Sequence, residues 1–366
     1  MYENCPEVQI PIFVDELPAN GSNDKRMKYL IGFILVLALG AAKAQNILHD
    51  QVTHFSLEDE RGEIDFIVAN TELRDPKPIF LWCQGSLPIP LYVTIKEFGP
   101  YLIGGGLNNF DYKKLTVDYY VVVISMPHTP VEVPDHQLSN SFCYVPDPDA
   151  VPKFSQDYLE DDYLEVYVDR AAKVWGFLKE QKWVEGEQLI VGGHSQGAKV
   201  ATKFAIDHPE VSALGLFSPN PFGRVDEMIR TEKVKALTGN KSNEEADEEI
   251  RKWYRFMESA HDPDSVRAHP NLKSWASFSE PIYDDLLALE IPIFMIWGDQ
   301  DRSSDLCDLM PVFFLQEGKD NLTWHRKVGL EHNFFSRHED GRTNYEDPHW
   351  PEIMETFAVW AKGKFR

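Results

Sequence analysis

The chain has 366 residues, 43% of them hydrophobic and 12% aromatic, enough for one large core with room for an inserted subdomain. Its 36 Lys and Arg stand against 59 Asp and Glu, a formal net charge of -23 that argues against nucleic acid and anionic membrane surfaces as partners. No P-loop, Cys-x-x-Cys pair, His-Glu-x-x-His run or internal repeat is present, so phosphate-loop and metal-ligand signatures are both missing and no cofactor or metal is expected.

Residues 1–26 are polar and without periodicity. Met27 to Ala44 has Lys28 as a charged start, an apolar run from Tyr29 to Ala42, and Ala42-Lys43-Ala44 as a small-residue cleavage site. That is the form of a secretory signal peptide, and the run is short for a membrane span. The expected mature chain starts at Gln45 and is exported, periplasmic or secreted; an uncleaved anchor is the alternative. Cys83, Cys143 and Cys307 follow the signal, an odd number that does not make a disulfide scaffold.

The folded part opens with a predicted hairpin, His54–Leu57 and Ile64–Val68, around a charged turn. Ile79–Cys83 is a continuous apolar strand that stops at Gln84-Gly85-Ser86. Tyr119–Ser125 is the next buried strand, and Met126 to Lys153 is a Pro-rich loop. Tyr163 to Lys182 has helical periodicity and the length of a crossover helix in a parallel sheet.

Leu189 to Ala205 is the most informative stretch. A short apolar strand runs into Gly193-His194-Ser195-Gln196-Gly197, and a helical pattern follows at once. Strand, sharp turn with Ser at its tip, then helix is the setting a nucleophile elbow requires. Ala213–Ser218 is a further strand. From about 222 to 285 the chain turns charged and helical, with an acidic run from Glu244 to Glu249 expected to be a solvated helix face. Trp253, Tyr254, Phe256 and Trp275 are expected to pack this insertion rather than line a pocket. Ile291–Trp297 is a strand again and ends in Gly298-Asp299-Gln300-Asp301. A helix is expected over Leu306–Leu315, a Gly329-Leu330-Glu331-His332 loop follows, and a last helix covers Pro351–Lys362.

A serine hydroxyl needs a base to attack, and the base needs a carboxylate to orient it. Ser195, then an acid after the Ile291–Trp297 strand, then His332 supply these in order, each just past a buried strand. Asp301 is the first choice of acid and Asp299 the alternative. The backbone N–H groups of Gln196 and Ser86 are the candidate oxyanion donors. His194 is expected to pack beside its strand, and His128, His261, His269 and His338 to lie on the surface.

On these residues the chain from about Gln45 to its C-terminus resembles the α/β-hydrolase superfamily. Its Gly193-His194-Ser195-Gln196-Gly197 is similar to the elbow of esterases and lipases of that fold, and Gly298-x-x-Asp301 and Gly329-x-x-His332 to the family's acid and base loops. Many relatives carry His-Gly at the oxyanion turn where this chain has Gln84-Gly85. The resemblance implies a doubly wound, mostly parallel sheet in an α/β fold, with a helical cap inserted at about 222–285. It also implies cleavage of a small acyl substrate, a carboxylic ester first, through an acyl-enzyme. A serine aminopeptidase of the prolyl-peptidase type is the alternative enzyme. A catalytically silent binding protein of the same fold is the alternative of another class.

Overall fold

The computed structural model describes residues 43–147 and 154–364. The expected signal segment lies outside them except for Lys43 and Ala44, which begin the first strand. The strands are β1 (Lys43–Leu48), β2 (Val52–Leu57), β3 (Ile64–Val68), β4 (Lys77–Cys83), β5 (Tyr92–Ile95), β6 (Gly99–Leu102), β7 (Tyr120–Ile124), β8 (Glu132–Pro134), β9 (Val184–His194), β10 (Val211–Phe217), β11 (Ile293–Gly298), β12 (Leu322–Lys327), β13 (Phe335–Arg337) and β14 (Thr343–Pro348). The helices are α1 (Gln156–Asp161), α2 (Leu164–Leu178), α3 (Gln196–Asp207), α4 (Arg224–Leu237), α5 (Asn243–Ala260), α6 (Pro263–Ala268), α7 (Asn271–Ser279), α8 (Tyr283–Ala288), α9 (Met310–Gln316) and α10 (Trp350–Lys364).

Nine strands make the central sheet, in the order β1-β2-β3-β7-β4-β9-β10-β11-β12. From β7 to β12 every neighbouring pair is parallel, while β1, β2 and β3 join antiparallel at one edge. The order reverses at β4: the chain goes first to β7 on one side, then crosses back through α2 to β9 on the other. In a doubly wound sheet such a reversal opens a crevice at the carboxyl ends of the two strands beside it. Here those ends are Cys83 and His194, with Cys83 in register with Gly193.

The apolar runs are continuous because both faces of the parallel strands are covered. Ile79, Leu81, Val191 and Leu214 pack with Val174, Trp175 and Phe204 of α2 and α3. Their alternating neighbours Phe80, Trp82, Ile190 and Phe217 pack with Ile353 and Phe357 of α10 on the other face. Among the described residues no helix is long and apolar enough to cross a membrane.

The chain between β10 and β11 is helical. α4, α5 and α7 share a small core of Val225, Trp253, Phe256 and Leu272, against which Trp275 packs. α5 starts in a capping box between Ser242 and Glu245. Its acidic run is solvated and partly paired, Asp247 with Arg251 and Glu249 with Lys252. α8 already packs on the sheet through Leu286.

Three elements differ from the sequence expectation. The Pro-rich loop contains β8, which pairs with β5 in a small sheet of order β6-β5-β8. Three residues are too few to show periodicity, and the partner supplies the order. The helix expected over Leu306–Leu315 is divided into a 3₁₀ segment, Asp305–Leu309, and α9. Pro311, without an N–H, fits only the first turn of a helix, so α9 starts at Met310. Finally, β13 and β14 pair as a polar antiparallel ribbon in a stretch that reads as connection.

Candidate active site

The turn at Ser195 is made by one residue. β9 ends at His194, α3 begins at Gln196, and Ser195 between them takes φ 57 and ψ -120. Side chains with a Cβ avoid that region, so strain is stored at this residue. The turn closes only because two neighbours lack a Cβ. One on Gly193 would press into the Gly197 carbonyl, and one on Gly197 into the carbonyls of Cys83 and Gln84. The Ser195 N–H donates to the Phe217 carbonyl at 2.9 Å, which ties the turn to β10.

The acid loop leaves β11 at Gly298. Within it the Gln300 N–H donates to the Leu330 carbonyl at 2.9 Å and so holds this loop to the one that carries His332. His332 is fixed at its main chain as well: its carbonyl accepts from His194 Nε2 at 2.9 Å. His194 is half-buried and its ring packs against Trp350 at 5.2 Å. Burial, with His332 close by, drives its pKa down to about 3, so it stays neutral while donating.

Three of the sequence candidates meet. His332 Nε2 lies 2.8 Å from Ser195 Oγ, and His332 Nδ1 lies 2.8 Å from Asp301 Oδ2. The other Asp301 oxygen accepts from Ser303 Oγ at 2.6 Å and from the Ser303 N–H at 3.0 Å. This pattern suits a neutral imidazole protonated at Nδ1, with Nε2 accepting from the serine hydroxyl. Burial by itself would raise the Asp301 pKa, but His332 and the hydroxyl donors outweigh it and hold the carboxyl far below its ordinary value. Burial would likewise lower the pKa of His332; Asp301 outweighs it and raises it.

Asp299 faces elsewhere. It accepts the Gly329 N–H at 2.7 Å and lies 3.5 Å from an Arg326 nitrogen, which makes it the brace of the turn. The Gln84-Gly85-Ser86 turn abuts the elbow: a Cβ on Gly85 would come 3.9 Å from Ser195 Cβ. Gln196 is the first residue of α3, where N–H groups have no partner within the helix.

A cavity of about 1530 Å³ opens above Ser195, between the helices after β10 and the β13–β14 ribbon. Trp253 and Trp275 line it and also meet in a tilted ring contact at 5.3 Å, so they pack the insertion and face the cavity at once. Tyr254 is exposed. His338, expected on the surface, stands at the rim of the cavity.

A parallel sheet reversed at β4, with a strained serine turn at the crevice and a histidine and carboxylate on the next loops, decides the architecture. This is the α/β-hydrolase fold. No family model matches the chain, and no curated protein matches it in sequence. Solved structures do. MenH from S. aureus is similar over 83% of this chain and 99% of its own, at 14% identity and a TM-score of 0.45. Acetyl xylan esterase 1 from Thermoanaerobacterium sp. JW/SL YS485 is similar over 80% of this chain and 82% of its own, at 14% identity and a TM-score of 0.43. Pyrococcus horikoshii acylaminoacyl peptidase is similar over 77% of this chain, at 12% identity and a TM-score of 0.46, and this match spans only 37% of that longer protein.

Several residues at the site carry no sequence signal. Ser303 sits 2.6 Å from Asp301 and 2.9 Å from His332 Nδ1. Lys199 is buried at 4% exposure and donates from Nζ to the carbonyls of Phe278, at 2.9 Å, and Glu280. Arg224 and Glu227, in the first turn of α4, line the cavity. An isolated Ser, Lys or Arg in a polar stretch looks like surface, and only tertiary contact distinguishes these four.

Proposed function

We propose that this protein is a serine hydrolase that cleaves a carboxylic ester through an acyl-enzyme. The observation that carries the reading is the 2.8 Å approach of His332 Nε2 to a Ser195 Oγ held at φ 57, with Asp301 at the imidazole's other nitrogen. In this reading Ser195 Oγ attacks the ester carbonyl as its proton passes to His332 Nε2, and Asp301 stabilises the imidazolium. Negative charge on the carbonyl oxygen meets the N–H groups of Gln196 and Ser86 and the positive end of α3. Collapse expels the alcohol, which takes the proton from His332. Water then attacks the acyl-enzyme by the same route, releasing the acid and restoring Ser195.

Labelling with a fluorophosphonate tests this. Wild type is expected to label and Ser195→Ala not to, with turnover of p-nitrophenyl esters following the label. A folded wild type that neither labels nor turns over would move the protein to the silent, binding class. We also propose export, supported by the Met27–Ala44 pattern. Intact mass of the secreted protein is expected to begin at Gln45, and retention of the earlier residues would refute cleavage there.

A further inference from the structure

The chain is strongly acidic, yet four arginines line the cavity above Ser195: Arg224, Arg302, Arg337 and Arg342. Arg342 is paired with Asp340 at 2.8 Å, while among the described residues the other three have no carboxylate ion pair. Arg337 donates only to carbonyls, of Gly341 at 2.7 Å and Gln300 at 3.3 Å. Arg224 donates to the side-chain oxygens of Gln196 and, at 3.0 Å, of Ser274. Its guanidinium lies 4.7 Å from the Phe278 ring centre and 5.6 Å from that of Trp275. A guanidinium carries five N–H donors, and neutral partners cancel none of its charge. Other arginines of this chain do meet acids, as Arg230 meets Asp226 and Asp305, although the buried Arg170 donates to the Glu63 and Ser125 carbonyls and the Ser125 hydroxyl.

A second observation points to a ligand in the same place. Ser218 lines the same cavity, is fully buried, and its Oγ has no hydrogen-bond partner among the described residues. A buried hydroxyl without a partner is destabilising unless a bound group supplies one.

The cavity also has a direction. The Gln196 side chain ties Arg224 to the residue that follows the nucleophile, beside the acyl carbonyl. Glu227 stands in the same first turn of α4 and lines the same cavity, where its charge neighbours include His332, Asp301, Arg230 and Arg224. Of the other cavity glutamates, Glu232 is paired with Lys235 and Lys241 and Glu249 with Lys252, Glu331 accepts the N–H groups of Asn333 and Phe335, and Glu346 is exposed on the β13–β14 ribbon.

Resting on the hydrolase reading above, we infer that the substrate's acyl group bears a carboxylate, and that Arg224 is the specificity-determining residue that binds it. The planar fork of an arginine matches a carboxylate with two parallel bonds, and a site already stacked on two aromatic rings loses little freedom on binding. An uncharged acyl chain of equal length leaves the guanidinium without its counterion.

The test compares p-nitrophenyl hemisuccinate with p-nitrophenyl butyrate, which have the same leaving group and similar acyl length. Wild type is expected to favour the hemisuccinate in kcat/KM by about tenfold or more, the worth of one charged hydrogen-bond pair. In Arg224→Met the ratio is expected to fall towards one, and in Arg224→Lys to keep part of its value. A measurement on wild type alone needs no variant to fold: glutarate should protect Ser195 from an uncharged fluorophosphonate better than glutaramide does. Equal or reversed preference in an enzyme that labels at Ser195 would overturn the inference and leave the hydrolase reading standing. Absence of labelling would overturn both.

Discussion

Asp301 and Asp299 stand on one loop and serve opposite sides of it: Asp301 Oδ2 meets His332 Nδ1 at 2.8 Å, while Asp299 Oδ1 accepts the Gly329 N–H at 2.7 Å. The first carboxylate is aimed at the imidazole and the second at the backbone of the neighbouring loop. Asp301→Asn is therefore expected to lower kcat by about 10³- to 10⁴-fold, because an amide no longer selects the Nδ1-protonated imidazole. Asp299→Asn keeps an acceptor for Gly329 and should cost about 1 kcal/mol of stability with little change in kcat. Urea denaturation and steady-state kinetics on the two variants check both halves, and the reverse ranking would move the acid to Asp299.

The pH profile follows from the same pair. His332 must be neutral to accept the Ser195 proton, and Asp301 raises its pKa above the ordinary histidine value of 6.5 although burial opposes this. Activity should then rise with pH along a limb whose midpoint lies above 6.5. Removing the carboxylate in Asp301→Asn should move the residual limb to lower pH. A wild-type limb at or below the ordinary value would contradict the observed pairing.

The strain at Ser195 can be weighed by itself. Ser195→Ala and Ser195→Gly both remove the hydroxyl and should both be inactive, but only glycine relaxes at φ 57 and ψ -120. The glycine variant is expected to be the more stable of the two by about 1 kcal/mol, strain relief exceeding the entropy glycine adds to the unfolded chain. Melting temperatures decide it; equal values would mean that the turn is unstrained.

Lys199 gives a stability prediction. Burial, reinforced by nearby Arg224, takes its pKa down to about 7 from 10.5. Between those two values the unfolded chain binds the proton more than the folded one does, so this group makes stability rise with pH across that window. Lys199→Met should lack that rise. Thermal unfolding of both proteins from pH 7 to pH 10 isolates the difference, and parallel curves would show that the ammonium keeps its charge against the Phe278 and Glu280 carbonyls.

The elbow was legible because everything it needs is local: an apolar strand, two glycines about a serine, and a helix, all within Leu189–Ala205. The hairpin β2–β3, the crossover α2 and the order of Ser195, Asp301 and His332 were legible for the same reason, since each carries its own periodicity or turn residue. The spacing from Gly298 ranks Asp301 above Asp299, but which of them meets His332 depends on which way one loop turns over another. Ser303, Lys199 and Arg224 were silent, since their roles are set by partners far along the chain: Lys199 meets Phe278, and Arg224 meets Gln196. The β13–β14 ribbon has no apolar face, so no pattern announces it.

One feature of the elbow reaches beyond the serine itself. Gly197 lies against the main-chain carbonyls of Cys83 and Gln84, and Cys83 is in register with Gly193. Ser195 and the turn opposite it thus belong to one close-packed casting of main chain, with no side chain at Gly197 to act as a gasket. The insertion above is fastened differently, through individual side-chain ties such as Lys199 to Phe278 and Gln196 to Arg224. Under the proposed hydrolase reading, alterations to those ties would retune which molecules are admitted and leave Ser195, His332 and Asp301 aligned.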